Sequence, residues 1–124
     1  MEKIDLKVTQ EMIARYEATR KTLIDKAYGI NDTLSVWFDI ASFKDFVNNL
    51  PAETTGVRVH LAAYDDTQTK APNQTTVVVI GTNADESDAI STGKALVAGL
   101  EPQNNGKECP PTCIPPIPPH STIS

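Results

Sequence analysis

Long hydrophobic runs are missing from this sequence, and so is any cluster of basic residues. No stretch approaches the roughly 20 apolar residues that a membrane-spanning helix requires, and the first ten residues lack the apolar segment of a secretory signal peptide. Eleven basic residues against sixteen acidic ones give a net charge of −5, which repels phosphate backbones and anionic lipid surfaces. The sequence therefore predicts a cytoplasmic protein that binds neither nucleic acid nor membranes.

The motifs of several common enzyme classes are also missing. Gly93 and Lys94 suggest a phosphate loop, but Asp88 stands where that motif needs a glycine, and Ala95 stands where it needs serine or threonine. No glycine-rich dinucleotide fingerprint follows a predicted strand, and neither histidine belongs to a metalloprotease-type pair. We therefore expect no cofactor, and more generally a protein that is not an enzyme.

The chain divides by composition into a body and a tail. Its 124 residues, 40% hydrophobic and 22% charged, suit one globular domain, which we place at residues 1–100. Seven of the nine prolines fall in residues 101–124, where no apolar periodicity remains. This composition predicts a flexible, proline-rich tail, whose extended conformation would suit the binding of a protein partner.

Residues 35–50 are expected to be the centre of the body. The segment SVWFDI alternates apolar and polar residues with the period of a strand. Ser42 is then placed to cap a helix over 42–50, and Pro51 prevents that helix from continuing. The apolar stripe of this helix would consist of Phe43, Phe46, Val47 and Leu50.

The other elements follow from similar signals. A helix is predicted over 9–28, capped by Thr9 and closed by Gly29. Strands are predicted over 57–64 and 75–80, and a short helix over 89–100. In the first of these strands, the expected core side is formed by Val57, Val59, Leu61 and Ala63.

The predicted fold class is α+β, in the order α-β-α-β-β with the short helix last. The strand at 36–40, the helix at 42–50 and the strand at 57–64 can form a right-handed parallel crossover. The strands at 57–64 and 75–80 would be antiparallel neighbours. The result is a small, mixed three-stranded sheet with two helices on one face.

The open face of that sheet is the candidate site. It would carry five side chains from two strands, namely Trp37, Asp39, Arg58, His60 and Tyr64. Large amphipathic residues favour an interface, so we expect an interaction module that self-associates as a homodimer. The alternative is a ligand-binding protein or enzyme, in which a carboxylate orients an imidazole and an arginine holds an anion. On a plain solvated face, Asp39 and Arg58 would simply pair.

The tail contains the only two cysteines. Cys109 and Cys113 are separated by three residues, a spacing that zinc ligands tolerate, and His120 is a third candidate ligand. A structural zinc site needs a fourth ligand, and a cytosolic location disfavours a stable disulfide. Three states therefore remain open: reduced and unligated thiols, a metal site, and a disulfide.

Three segments, WFDI with FKDFV, GVRVHLAAYD and the terminal CPPTC, carry a resemblance. In these segments, the chain resembles a group of small bacterial proteins of unknown function. The resemblance covers about half of the chain and implies no activity, so it adds no site residue to those above.

Overall fold

The chain folds as an α+β protein with two small antiparallel sheets. The computed structural model describes residues 1–89, 104 and 106–110. The elements in chain order are α1 (Leu6–Tyr16), a π-helical turn (Glu17–Lys21), α2 (Thr22–Tyr28), β1 (Ser35–Trp37), α3 (Ile40–Asn48), β2 (Gly56–Ala63), β3 (Thr75–Thr82) and β4 (Lys107–Cys109). Within these ranges, no helix combines the length and the apolar character needed to cross a membrane.

The first predicted helix is present but begins earlier than its sequence signals indicate. Its first turn follows Asp5, and Thr9 donates both its amide and its hydroxyl to the Asp5 carbonyl at 2.9 Å. Thr9 therefore lies inside the helix and does not cap it. The predicted end is confirmed, because Gly29 adopts the left-handed conformation with φ of 64° and its N–H bonds to the Asp25 carbonyl.

Helix α3 also begins before its predicted start. Asp39 caps it, with the Asp39 carboxylate accepting a 2.9 Å hydrogen bond from the Ser42 amide. The strand before it consequently ends at Trp37. Within the predicted apolar stripe, Phe43 makes an edge-on contact with Phe46 at a centroid distance of 6.3 Å. Phe43 also contacts Phe38, which precedes the helix, at 6.2 Å.

The predicted three-stranded sheet is not formed by the described residues. The antiparallel pairing of β2 with β3 is confirmed, with Gly56 opposite Thr82 and Ala63 opposite Thr75. Strand β1 pairs antiparallel with β4, and this replaces the predicted parallel pairing with β2. The parallel crossover is therefore wrong. The neighbour of β1 is instead β4, a strand of three residues. It comes from the proline-rich segment that was predicted to be an extended tail.

Part of the predicted tail packs on the body. Gly106 lies so close to β1 that a side chain there would overlap Val36 and Phe38. Beyond β4, the carbonyl of Pro110 accepts a 2.8 Å hydrogen bond from the Gln74 amide side chain. The rest of the tail lies outside the described residues, and so does the predicted helix at 89–100 apart from its first residue.

Asp32 joins the helical segment to the β2–β3 hairpin. Its side chain is fully buried and accepts hydrogen bonds from the amide and the hydroxyl of Thr75, both at 2.7 Å. On the other side, the Asp32 amide donates to the carboxylate of Asp25, which also pairs with Lys21 at 2.7 Å. The π-helical turn ends at Lys21, whose ammonium reaches Asn31 as well.

The predicted core side of β2 is exposed to solvent. Val57, Val59 and Leu61 are 41%, 57% and 81% exposed, whereas Val79 of β3 is buried. The side chain of Leu50 lies against Gly81 of β3. Alternation along β2 therefore identified a strand, but it did not identify which element covers the strand.

Candidate functional site

Arg58 and His60 are held by one carboxylate from the loop after β3. Asp88 accepts a 2.7 Å hydrogen bond from the Arg58 guanidinium on one oxygen and lies 2.8 Å from His60 Nε2 on the other. A second guanidinium nitrogen of Arg58 donates to the Glu86 carbonyl at 2.7 Å. Since an ionised carboxylate can only accept, Nε2 of His60 carries the proton of this contact.

The charge state of Asp88 follows from these partners. The hydrogen bond from His60 holds the pKa of the Asp88 carboxyl below its usual value, and Arg58 adds to this effect against the opposing influence of partial burial. The carboxylate is thereby stabilised in its ionised form. Asp88 also forms a β-bridge to Thr82, so the cluster fixes the loop against the hairpin.

The Arg58–His60–Asp88 cluster has the chemistry of a structural clamp. Two nitrogens of the Arg58 guanidinium already have protein partners, so part of its hydrogen-bonding capacity is used within the chain. His60 has a carboxylate that orients it, but no serine, threonine or cysteine is bonded to its ring among the described contacts. The described contacts therefore show an oriented imidazole and a bonded arginine, beside an open hollow whose lining includes Val57, Arg58 and Glu86.

Trp37 and Asp39 lie at a separate cleft beside α3. The cleft has a volume of about 320 Å³, and its lining includes Phe43, Lys107 and Asn104 in addition to Trp37 and Asp39. The Lys107 ammonium stands 4.9 Å from the centre of the Trp37 ring, in cation–π geometry. The Ser42 amide and then its hydroxyl lower the pKa of Asp39, and the charge of Lys107 acts in the same direction.

Tyr64 belongs to a third group of contacts, which joins β2, β3 and β4. Its hydroxyl donates to Asn104 Oδ1 at 2.9 Å and to Glu108 Oε2 at 3.3 Å. The same carboxylate accepts a 2.7 Å hydrogen bond from Thr76, and Asn104 donates to the Val77 carbonyl at 2.6 Å. These bonds satisfy the buried Glu108, so the group stabilises the contact between the two sheets.

The structure therefore divides the five residues of the predicted site. Arg58 and His60 share Asp88, while Trp37 and Asp39 line the cleft. Tyr64 is joined to that cleft through Asn104. No described contact joins Asp39 to Arg58 or His60, because β1 does not lie beside β2.

Cys109 is disulfide-bonded, which is the third of the three states that the sequence left open. Cys113 and His120 lie outside the described residues. In the part of the chain that is described, no group of three or more histidine, cysteine or acidic side chains is arranged to hold a metal ion.

Sequence reasoning missed the partners of the predicted site residues. Asp88 lies 28 and 30 positions from the two side chains that it binds, and an acidic loop gives no signal of such a distant contact. Asn104 and Lys107 fall in the segment assigned to the tail.

The most exposed apolar feature of the hairpin is the surface that we call the β2 strip. It consists of the Val57, Val59 and Leu61 side chains and the adjoining free edge of β2.

Comparison of the chain with protein-family models, with curated proteins and with solved structures finds no match.

Proposed function

We propose that this chain is a small interaction module that associates with itself through the β2 strip. The observation that carries the proposal is the exposure of Val57, Val59 and Leu61, which stand on one side of one strand. Neighbouring exposed apolar side chains of this kind mark surfaces that a partner covers. The proposal keeps the self-association predicted from the sequence and moves it to the opposite side of β2.

The polar side of β2 supports this relocation. Arg58 and His60 are already bonded to Asp88, and Tyr64 is bonded to Asn104 and Glu108. A partner on that side would have to compete with these internal hydrogen bonds. On the β2 strip it would only displace water from apolar side chains, which is favourable by about 25 cal/mol per Å².

Light scattering after size exclusion tests the proposal with a matched pair of variants. Leu61→Lys places a charge in the β2 strip, so we expect the dimer population to fall at a given concentration. Leu23→Lys makes the same change at a leucine of α2 that is 68% exposed, and it should leave the mass distribution unchanged. Equal masses for the wild type and both variants would contradict the proposal.

A second candidate function is supported by the cleft beside α3. Aromatic walls with one ammonium and one carboxylate are typical of sites for small organic molecules. A thermal-shift screen of metabolites separates this candidate from the ligand site predicted at Arg58 and His60. A hit in the cleft loses its stabilisation in Trp37→Ala and Lys107→Ala and keeps it in Arg58→Ala. The reverse pattern would return the ligand to Arg58.

That the proline-rich end of the chain binds a protein partner remains a prediction. Only its first part is described, and there Glu108 and Pro110 bond to β3 and to the residue before it. A partner of the proline run would therefore bind beyond residue 110. Pull-down of a partner by the full chain but not by a chain ending at 110 is the expected result.

A further inference from the structure

The alternation of hydrogen-bonded positions along β2 shows which of its backbone groups face outward. Tyr64, the residue after β2, donates its N–H to the Gln74 carbonyl at 3.0 Å, which continues the register in which Ala63 lies opposite Thr75. In an antiparallel pair, hydrogen-bonded positions alternate. The even-numbered residues of β2 therefore bond to β3, and the N–H and C=O groups of the odd-numbered residues point to the free edge.

The outer edge of β3 confirms this alternation and is covered by the chain itself. Asp32 accepts from the Thr75 amide, Asn104 donates to the Val77 carbonyl, and Ala89 donates to the Gly81 carbonyl at 2.8 Å. No described residue bonds to the corresponding groups of β2. The hairpin thus has one protected edge and one edge that is bare among the residues described.

Edge strands of monomers are normally blunted by proline, by lysine or by a bulge. Residues 56–63, GVRVHLAA, contain neither proline nor lysine, and the register with β3 runs without a bulge. The one arginine is turned to the other side, where it bonds to Asp88. The edge is therefore fit to receive another strand.

We propose that β2 pairs antiparallel with β2 of a second copy, about a two-fold axis at His60. This proposal rests on the self-association proposed above and specifies its geometry. In this register Val57 lies opposite Ala63 of the other copy, and Val59 lies opposite Leu61. All four outward-facing residues then exchange both of their backbone hydrogen bonds, and a four-stranded antiparallel sheet results.

A second copy is a better occupant than an unrelated strand because both faces match under the two-fold axis. Cross-strand neighbours in an antiparallel sheet lie on the same face and contact each other, so Val59 packs beside Leu61 of the other copy and Val57 packs beside Ala63. Each strip thereby covers part of the other's apolar side chains.

On the other face Arg58 lies opposite Ala62 of the other copy and is paired with Asp88 of its own, so the two arginines do not meet. The two His60 rings are neighbours at the axis, and each is bonded to its own Asp88.

The expected dimer is reversible. Two paired edges of eight residues bury less surface than the roughly 1,200–2,000 Å² of a standard stable interface. The population of the paired state should therefore depend on protein concentration, and this dependence makes it measurable in the unmodified chain.

Amide hydrogen exchange, followed residue by residue by NMR at low and high protein concentration, tests the inference. The amides of Val57, Val59, Leu61 and Ala63 should exchange more slowly at high concentration, whereas those of Arg58, His60 and Ala62 should be protected at both. Concentration-dependent protection elsewhere, with these four amides unchanged, would contradict the pairing but leave self-association standing. No concentration dependence at any amide, together with a monomer mass, would contradict both.

Oxidative cross-linking gives a second readout that is independent of exchange. In the proposed register, residue 60 of one copy lies beside residue 60 of the other across the axis. Their Cα atoms are then within the separation of about 4.4–6.8 Å that a disulfide spans. His60→Cys should yield a covalent dimer under mild oxidation. Val57→Cys, on the same strand, should remain at the level of random collision because its own copy lies several residues away. Equal yields from the two variants would contradict the register.

Discussion

Asp32 is the residue on which the junction between the helices and the hairpin depends most. Its buried carboxylate accepts two hydrogen bonds from Thr75, and its amide donates to Asp25. Asp32→Ala leaves the Thr75 amide and hydroxyl without these partners. We expect the free energy of unfolding to fall by about 2–3 kcal/mol, measured by urea denaturation. Asp66→Ala, at an exposed aspartate, is the control and should change it little.

Asp88 makes the stability of the loop after β3 depend on pH. Its pKa is lowered in the folded chain, chiefly by His60 and further by Arg58, so the ionised form favours folding. The stabilisation is fully present above the ordinary carboxyl pKa of 3.8 and is lost as the pH falls through the lowered value.

The corresponding measurement compares Asp88→Asn with the wild type by denaturation at several pH values. The wild type should be more stable than the variant near neutral pH, and this difference should shrink in acid. Asp66→Asn serves as the control. A difference between Asp88→Asn and wild type that does not vary with pH would show that the carboxylate charge is not what holds the loop.

At the scale of elements, the contact between β1 and β4 depends on a glycine. A methyl group at Gly106 would overlap Val36 and stand 2.9 Å from the Phe38 ring. Overpacking of this kind costs about 1–3 kcal/mol, so Gly106→Ala should destabilise β4. Because Lys107 stands over Trp37, tryptophan fluorescence reports the displacement.

Gly56→Ala provides the matched glycine control for this experiment. Its added methyl group would meet only the hydroxyl of Thr82, at 3.1 Å, and a side-chain hydroxyl can move. The Trp37 emission should therefore stay as in the wild type. The same change in emission in both variants would mean that β4 does not depend on close approach at Gly106.

The redox state of Cys109 is a further property of β4. Because Cys109 is disulfide-bonded, iodoacetamide should not alkylate it in the denatured chain before reduction and should alkylate it fully afterwards. Peptide mapping by mass spectrometry gives the site directly. Alkylation without reductant, or zinc that co-purifies with the chain, would favour one of the other two states predicted from the sequence.

Elements defined by local signals were predictable from the sequence. Gly29 ends α2 because glycine adopts the left-handed conformation without strain, and β2 and β3 show strand patterns on both sides of a polar loop. Strand β4 has three residues between a glycine and a proline, which is too short for any periodicity. Its pairing with β1 joins residues that lie 70 to 74 positions apart.

The candidate site was less predictable, because its position depends on which strands are neighbours. The prediction placed five residues on one face because it assumed that the strand at 36–40 lies beside the strand at 57–64. In the structure β1 pairs with β4 and not with β2, and this pairing separates the five residues. The same pairing leaves the apolar side of β2 exposed, which no alternation pattern can reveal.

At the level of the whole molecule, the β2 strip, which no described residue covers, should be covered by a second copy. Sedimentation velocity of the unmodified chain over a concentration series tests this expectation most directly, because it uses no substitution. The weight-average sedimentation coefficient should rise with concentration from the monomer value toward that of a dimer. A coefficient that stays at the monomer value throughout the series would contradict self-association through the β2 strip.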